Sequence, residues 1–500
     1  MKRVPTVAAF TLLSLILAQA ERGSAQIQPS TVNVVKTSVQ LADKSAQVDA
    51  LFASWTQGRT PGAAVLVVQD RRIVHKKGYG LADIAANAPI TPNTAFDLGS
   101  ISKPFTAMAI MMLAERGELR YGDPLSRFFP EFPSYARKIT IWHLLHHSHG
   151  FPDYEGLFVK SGMIDKDYPR PSKGKEEGFE PTIRDTLRLL AQQKELRFAP
   201  GDKYEYGGSG YVLLALIIEK VSGKPYSRFL KENIFRPLGM NSTLVYDETR
   251  PKVKNKAVSY SRVGERYKDI DYTPLNLIYG DGNVNSTVED LYKWDQALYT
   301  DRLLRAETLE QAFTPGKLND GMDTGYGSGW LVKNSPGLRR IAHGGSWVGF
   351  RSLLVRYPDQ RLTIILLSNF AEFDRETLVY KIARIYLADQ MALPTAVKVE
   401  PEALRKYVGR YMLCEWVPAG ATDCGGTLDP EAYFDVTLER ESLWLKAANR
   451  EKVRLMPESG TKFFVDGVED ARFTFNKDVR SDVISLTRWQ FVEQVAQRVP

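Results

Sequence analysis

Apolar and polar positions follow two different rhythms along this chain, and the change between them marks its organisation. In the N-terminal four-fifths, long apolar runs alternate with helical spacing. Ala63 to Val68 is an unbroken apolar run, Asp70-Arg71-Arg72 turns it, and Ile73 to Tyr79 follows, which predicts a buried strand and its hairpin partner. From Lys103 to Arg116 the apolar residues recur at helical spacing, with Ala, Met and Leu dominant and Gly117 as the stop. Tyr211 to Val221, ended by Ser222-Gly223, predicts a second buried helix, and Thr287 to Leu298 a third. Leu362 to Leu367 reads as another core strand and Asp374 to Asp389 as a last helix, N-capped by Asp374. Residues 155 to 180, rich in Gly, Pro, Lys and Glu, read as an insertion loop. The stretch 390 to 402 carries Pro394 and Pro401 and has no period. Beyond it only short strand-like runs recur, at Tyr433–Leu438, Leu443–Lys446, Val453–Met456, Phe463–Val465, Arg472–Phe475 and Val483–Arg488. That texture predicts a small antiparallel β-barrel or sandwich.

The N-terminus has its own pattern. Met1-Lys2-Arg3 is basic, Val7 to Ala18 is apolar, and Ala18-Gln19-Ala20 and Gly23-Ser24-Ala25 offer cleavage sites. The apolar run is short for a span of about 20 residues, so the pattern predicts a cleaved secretory leader and export to the periplasm or beyond, without a stable membrane span. The expected organisation is a leader at 1–25, a loose segment at 26–44, a main domain at 45–390, a linker at 391–402 and a β-domain at 403–500. Export places the two cysteines, Cys414 and Cys424, in an oxidising compartment, and their short separation suits a disulfide-closed loop; two free thiols are the alternative. At 500 residues and 43% hydrophobic content the chain can bury a large core. Its net charge of +7 is spread without a basic stripe, which argues against a nucleic-acid partner and is compatible with weak association with cell wall or anionic lipid.

The chemistry begins at Ser100-Ile101-Ser102-Lys103. A Ser-x-x-Lys pair alone means little: about two are expected by chance in such a chain, and a second stands at Ser172 and Lys175 among Pro and Gly. The Ser100 pair, however, opens a strong helical run, so its members share a helix face. A serine is a poor nucleophile until a base takes its proton, and a lysine serves as that base only if burial or a nearby cation lowers its pKa. The bland alternative is an N-capping serine beside a solvated lysine.

Further motifs follow in order. Leu98-Gly99-Ser100-Ile101-Ser102-Lys103-Pro104-Phe105-Thr106-Ala107 resembles the nucleophile segment of the serine β-lactamase-related family, which includes class C β-lactamases, D-Ala-D-Ala carboxypeptidases, D-aminopeptidases and esterases. Leu144 to Tyr154 resembles its second signature, Pro200-Gly201 through Tyr206 and Tyr211 its tyrosine segment, Phe235 to Met240 and Gly282 to Leu291 two further segments, and His343-Gly344-Gly345 its third motif. The resemblance runs from about residue 48 to 390 and implies an α/β fold: an antiparallel sheet flanked by helices, with a helical lobe beside the cleft. It implies that Ser100 is acylated, that Lys103 accepts or relays its proton, and that Tyr206 shares that traffic. The backbone N–H groups of Ser100 and Ser346 would form an oxyanion hole. His343 would bind a substrate carboxylate when charged or hold Tyr206, and Gly344 and Gly345 would let substrate lie along the strand. Trp347 would wall the pocket. The implied function is hydrolysis of an amide or ester, with D-amino-acid peptides, β-lactams and short esters as candidate substrates and no cofactor. The alternative is a penicillin-binding or sensing protein of the same fold that has lost turnover.

Two departures stand out. The family often has Tyr-x-Asn, whereas Gly208 occupies the third position here and removes a side-chain donor from the substrate side. The second signature reads His146-His147-Ser148-His149-Gly150 where Thr-His-Thr-Ser-Gly is usual, and its expected role is structural. His143 and His147 stand i, i+4, a spacing that can hold a metal on a helix, but no acidic partner has the required spacing, so no metal is expected. Trp142, Trp294 and Trp330 read as core, and His75 as an ordinary strand residue.

Overall fold

The computed structural model describes residues 41–165, 180–334, 337–414, 428–448, 451–478, 480, 482–489 and 493–499. The expected leader, the Ser172–Lys175 pair and Cys424 lie outside the described residues. Residues 41–50 are helical, so the segment expected to be loose is ordered from Leu41, where three alanines and a leucine favour helix.

The main module is built on a six-stranded antiparallel sheet: β1 (Ala63–Gln69), β2 (Arg72–Tyr79), β3 (Leu331–Asn334), β4 (Arg339–Trp347), β5 (Phe350–Tyr357) and β6 (Leu362–Ser368), in the spatial order β3-β4-β5-β6-β1-β2. The first strand pairs with the last, Ala63 opposite Ser368 and Gln69 opposite Leu362. Alternation along β1 explains its unbroken apolar sequence. Ala64, Leu66 and Val68 enter the main core, while Ala63, Val65 and Val67 are equally buried on the other face. Five helices frame it: α1 (Ser102–Glu115), α2 (Ile141–Leu145), α3 (Ser209–Ser222), α4 (Val288–Ala297) and α5 (Arg375–Leu387). α4 packs on β1 and β6, and α5 on β5 and β6. Asp374 caps α5 by accepting from the Thr377 amide at 3.3 Å, as expected. α1 is buried around almost its whole circumference, because it packs on α3 and on two shorter helices and shares one core with residues of the sheet.

The expected insertion loop at 155–180 begins instead with a helix, Tyr154–Lys160, whose N-cap Asp153 accepts from the Glu155 amide at 3.1 Å. Leu157 and Phe158 bury against the helical lobe and hold it in place. Trp294 and Trp330 are core as expected, but Trp142 is 36% exposed and lies over His146.

The C-terminal module is a closed antiparallel barrel of eight strands: β7 (Gly409–Cys414), β8 (Leu428–Glu439), β9 (Ser442–Ala447), β10 (Val453–Pro457), β11 (Lys462–Val465), β12 (Val468–Lys477), β13 (Val483–Trp489) and β14 (Glu493–Val499). β7 and β14 were not foreseen, and they pair with each other to close it. A short helix, Pro401–Leu404, leads in and places Leu404 in the barrel core with Tyr407, Tyr411, Phe463, Phe473 and Phe475. Cys414 ends β7 and is not a free thiol. No helix among the described residues is long and apolar enough to cross a membrane.

Candidate active site

Ser100 sits in a single 3₁₀ turn, Gly99–Ile101, that leads directly into α1. Its hydroxyl does not cap the helix: the residue at the cap position is Ile101, and no side chain bonds there. Lys103 Nζ instead donates to Ser100 Oγ at 3.0 Å. The turn is set by Gly99, whose φ of +52° a side chain would strain and whose α-carbon faces the backbone of Ser346; a Cβ there would stand 2.8 Å from the Ser346 nitrogen. The buried carboxylate of Asp97 fixes the same turn by accepting from the Gly99 amide at 2.8 Å. Gly345 is required for the same approach, since a Cβ on it would overlap the Leu98 carbonyl. Two glycines thus let the turn that carries Ser100 and the strand that carries Ser346 approach backbone to backbone.

The side chain of Lys103 is 2% exposed and is surrounded by acceptors and rings. It donates to the Asp281 carbonyl at 3.2 Å, lies 3.9 Å from Asp281 Oδ2, and stands 4.9 Å from the ring centre of Tyr206 and 5.8 Å from that of Tyr211. Burial pushes the lysine pKa down, but Tyr206, Asp281 and Asp153 outweigh it, and Lys103 titrates above its ordinary value. With a charged Tyr206 and Asp281 beside it, Lys103 is held in its protonated form. Lys103 is a buried ammonium aimed at the serine.

Tyr206 lies on the extended segment before α3 and is 44% exposed, open to solvent at the edge of the site. The second signature holds that segment. The Glu205 amide donates to the His147 carbonyl at 2.8 Å, the Gly201 amide to the Ser148 carbonyl at 2.8 Å, and the Gly207 amide to His147 Nδ1 at 3.4 Å. His147 has a φ of +53°, off the end of α2, and its ring packs 4.5 Å from that of Tyr206. The i, i+4 pairing of His143 with His147 does not survive this turn, and His143 bonds to Thr140 instead. Burial lowers the pKa of His146 to about 4 and of His149 to about 3, and His147 is lowered further by the Lys103 charge. All three are neutral supports at ordinary pH.

His343 on β4 differs from expectation. Its Nδ1–H donates to the Gly344 carbonyl at 2.7 Å, so Nε2 accepts from the Tyr326 hydroxyl at 3.0 Å. Burial, with the Lys103 charge beside it, lowers its pKa to about 3. It is a neutral, fully partnered ring, and it holds Tyr326, not Tyr206. Arg375 does not replace it as a carboxylate anchor: it lies behind β4, against Gly344, on the face opposite the one that Gly345 turns to Leu98. Trp347 is half-buried and pinned by its indole N–H to Asn276 Oδ1 at 3.1 Å.

Gly208 is buried and does not line an open pocket. A Cβ on it would overlap the Tyr154 ring and stand 2.5 Å from Asp281 Oδ2. The Gly208 amide donates to Asp153 Oδ2 at 2.6 Å. Asp281, Tyr154 and Tyr326 are site residues that sequence reasoning did not find. The nearest signal was Gly280-Asp281-Gly282, immediately before the segment matched to the family at Gly282.

The model of the family described as "Beta-lactamase" matches residues 43–387. The chain is 32% identical over 468 residues to penicillin-binding protein 4* of Bacillus subtilis, covering 88% of this chain and 96% of that one. Among solved structures, the octameric penicillin-binding protein homologue from Pyrococcus abyssi is 26% identical with a TM-score of 0.59, covering 93% of this chain and 100% of that one. The D-amino acid amidase from Ochrobactrum anthropi shares the fold at 23% identity with a TM-score of 0.55, over 65% of this chain and 91% of its own.

Proposed function

The chain belongs to the β-lactamase family, and within it we propose a serine hydrolase that works through an acyl-enzyme on Ser100. The observation that carries this reading is the 3.0 Å hydrogen bond from a buried Lys103 to Ser100 Oγ, with Tyr206 at the open edge of the same cluster. In the reaction Tyr206 enters as the phenolate paired with the Lys103 ammonium, and the Ser100 proton passes to its oxygen as Oγ bonds to the acyl carbon and the carbonyl electron pair moves onto oxygen. The Ser100 and Ser346 amides face that oxyanion. Lys103 stays an ammonium and stabilises both the developing alkoxide and the Tyr206 oxygen. Tyr206 then returns the proton to the departing alcohol or amine, and the same pair activates water for deacylation.

Because His343 is neutral and partnered, the site offers no cation there for a substrate carboxylate. The substrate class we infer is an ester or amide whose recognition does not depend on a free carboxylate. That favours small esters and amino-acid amides over β-lactams and peptides ending in D-Ala. Export through the Met1–Ala25 leader is part of the proposal. The test is intact mass after treatment with a fluorophosphonate, a penicillin and a D-Ala-D-Ala peptide. A single fluorophosphonate adduct that Ser100→Ala abolishes is expected, with little or no penicillin adduct. Undiminished labelling of Ser100→Ala would overturn the assignment of the nucleophile.

A further inference from the structure

The position that the Tyr-x-Asn pattern gives to an asparagine side chain is filled from elsewhere. Gly208 leaves the volume, and the ring of Tyr154 and Oδ2 of Asp281 occupy it. The two are joined, with Tyr154 Oη donating to Asp281 Oδ2 at 3.2 Å. Asp281 is anchored by its own segment. Thr106 on α1 bonds the neighbouring Gly280 carbonyl, and Ser102 Oγ accepts from the Val284 amide at 3.0 Å. Asp281 therefore turns both its carbonyl and its carboxylate toward Lys103. Its other oxygen, Oδ1, is buried without a partner among the described residues. A carboxylate that served packing alone would be expected to have both oxygens satisfied.

Building on the hydrolase reading, we infer that Asp281, held by Tyr154 in the space left by Gly208, is a positioning residue that keeps Lys103 an ammonium directed at Ser100. The charged and titratable groups around the pair are few. Asp281 faces Lys103, Asp153, Tyr154, Tyr226 and Asp97, and Lys103 further faces Tyr206, Tyr211, His147 and His343. Asp281 and Asp153 are the carboxylates that bear on Lys103, and Asp281 is the one that packs against it. Burial raises the Asp281 carboxyl to about 6, so at neutral pH it is ionised and stabilises the ammonium.

The experiment is Asp281→Asn, which keeps size and the contact with Tyr154 but removes the charge. Without it, one of the charges that oppose the effect of burial on Lys103 is gone, and the lysine pKa falls. If the directed ammonium is the working form, kcat falls about tenfold at pH 7, where the amine is still charged but no longer anchored toward Ser100, while KM stays nearly constant, and the alkaline limb of kcat/KM moves toward acid by about one unit, the size expected for one close charge. If Lys103 works as a neutral base, the same substitution raises activity near neutrality, which overturns the inference. An unshifted profile overturns it too, since a packing role would lower the amount of folded enzyme without moving the limb. Tyr154→Phe serves as the second variant, with a smaller shift in the same direction, should Asp281→Asn fold poorly. Fluorophosphonate labelling of wild-type Ser100 tests the hydrolase reading separately, so the failure of one is distinguishable from the failure of the other.

Discussion

Among the described residues two ion pairs are buried on both partners, one on each side of what a charge can do inside a protein. Within the main core, Arg356 Nε donates to Asp295 Oδ1 at 2.7 Å, with side chains 2% and 0% exposed. Thr363 adds a second bond to the same oxygen at 3.0 Å, and the guanidinium lies 4.4 Å from the Tyr299 ring centre. Beside Ser100, Lys103 and Asp281 stand 3.9 Å apart, with Oδ1 of the carboxylate unpartnered among the described residues. The first pair is closed on itself. The second leaves part of its bonding capacity to other groups, and Lys103 spends it on Ser100. A buried charge that is fully partnered fixes structure, and one left partly unpartnered is available to a reaction.

The largest effect should come from breaking the second pair at its chemical end. Ser100→Ala and Lys103→Ala should each lower kcat/KM by roughly 10³-fold or more, and the double substitution should cost little beyond either single one, because the groups act as one unit. Thermal denaturation should show both variants folded at 25 °C. Losses that multiply would mean independent roles.

Breaking the first pair should do the reverse. Arg356→Ala leaves Asp295 buried and unpaired, at a cost of about 3–5 kcal/mol, while kcat per folded molecule stays within about twofold of wild type. Urea denaturation alongside active-site titration separates the two quantities. A normal midpoint with depressed kcat would erase the distinction between the pairs.

Gly208 lies next in size. An asparagine at this position, as in the Tyr-x-Asn pattern, would not supply a donor here; it forces a Cβ into Tyr154 and Asp281. Gly208→Ala should cost about 1–3 kcal/mol as overpacking. Tyr154→Ala should relieve part of that cost in the double variant. Additive losses would place the strain elsewhere.

These positions also show what the sequence makes legible. Ser100, Lys103 and the helix behind them were readable because an apolar helix locates the pair without knowledge of the rest of the fold. Gly208 was visible as a departure, but its meaning was not, since the residues that fill its space come from 54 positions before and 73 after it. His343 was readable as a position and not as a charge state, because Tyr326 and the burial that neutralise it depend on the packed structure. In the barrel, β8 to β13 announced themselves by compact apolar runs. The closing strands did not: β14 runs Glu493-Gln494-Val495-Ala496-Gln497-Arg498-Val499, too polar to stand out before its partner is known.

The smallest effect is a change in how stability depends on pH. Asp281 and Asp97 are raised by burial from 3.8 to about 6. Between those values the folded protein holds protons that the unfolded chain has released, so each carboxyl makes stability fall as pH rises through that window. His146, at about 4, and His149 and His343, at about 3, act in the opposite sense. Below 6.5 the unfolded chain binds protons that these rings refuse, so their contribution is lost as pH falls. Asp281→Asn removes one folded-state proton from this balance and leaves the histidines unchanged. The slope of unfolding free energy between pH 4 and 6 should therefore become steeper by about one proton, or about 1.4 kcal/mol per pH unit. Urea midpoints at four or five pH values in that interval measure it. Parallel curves for wild type and Asp281→Asn would mean that the carboxyl titrates alike in the folded and unfolded chain, and the reactive pair would then be no more poised than the structural one.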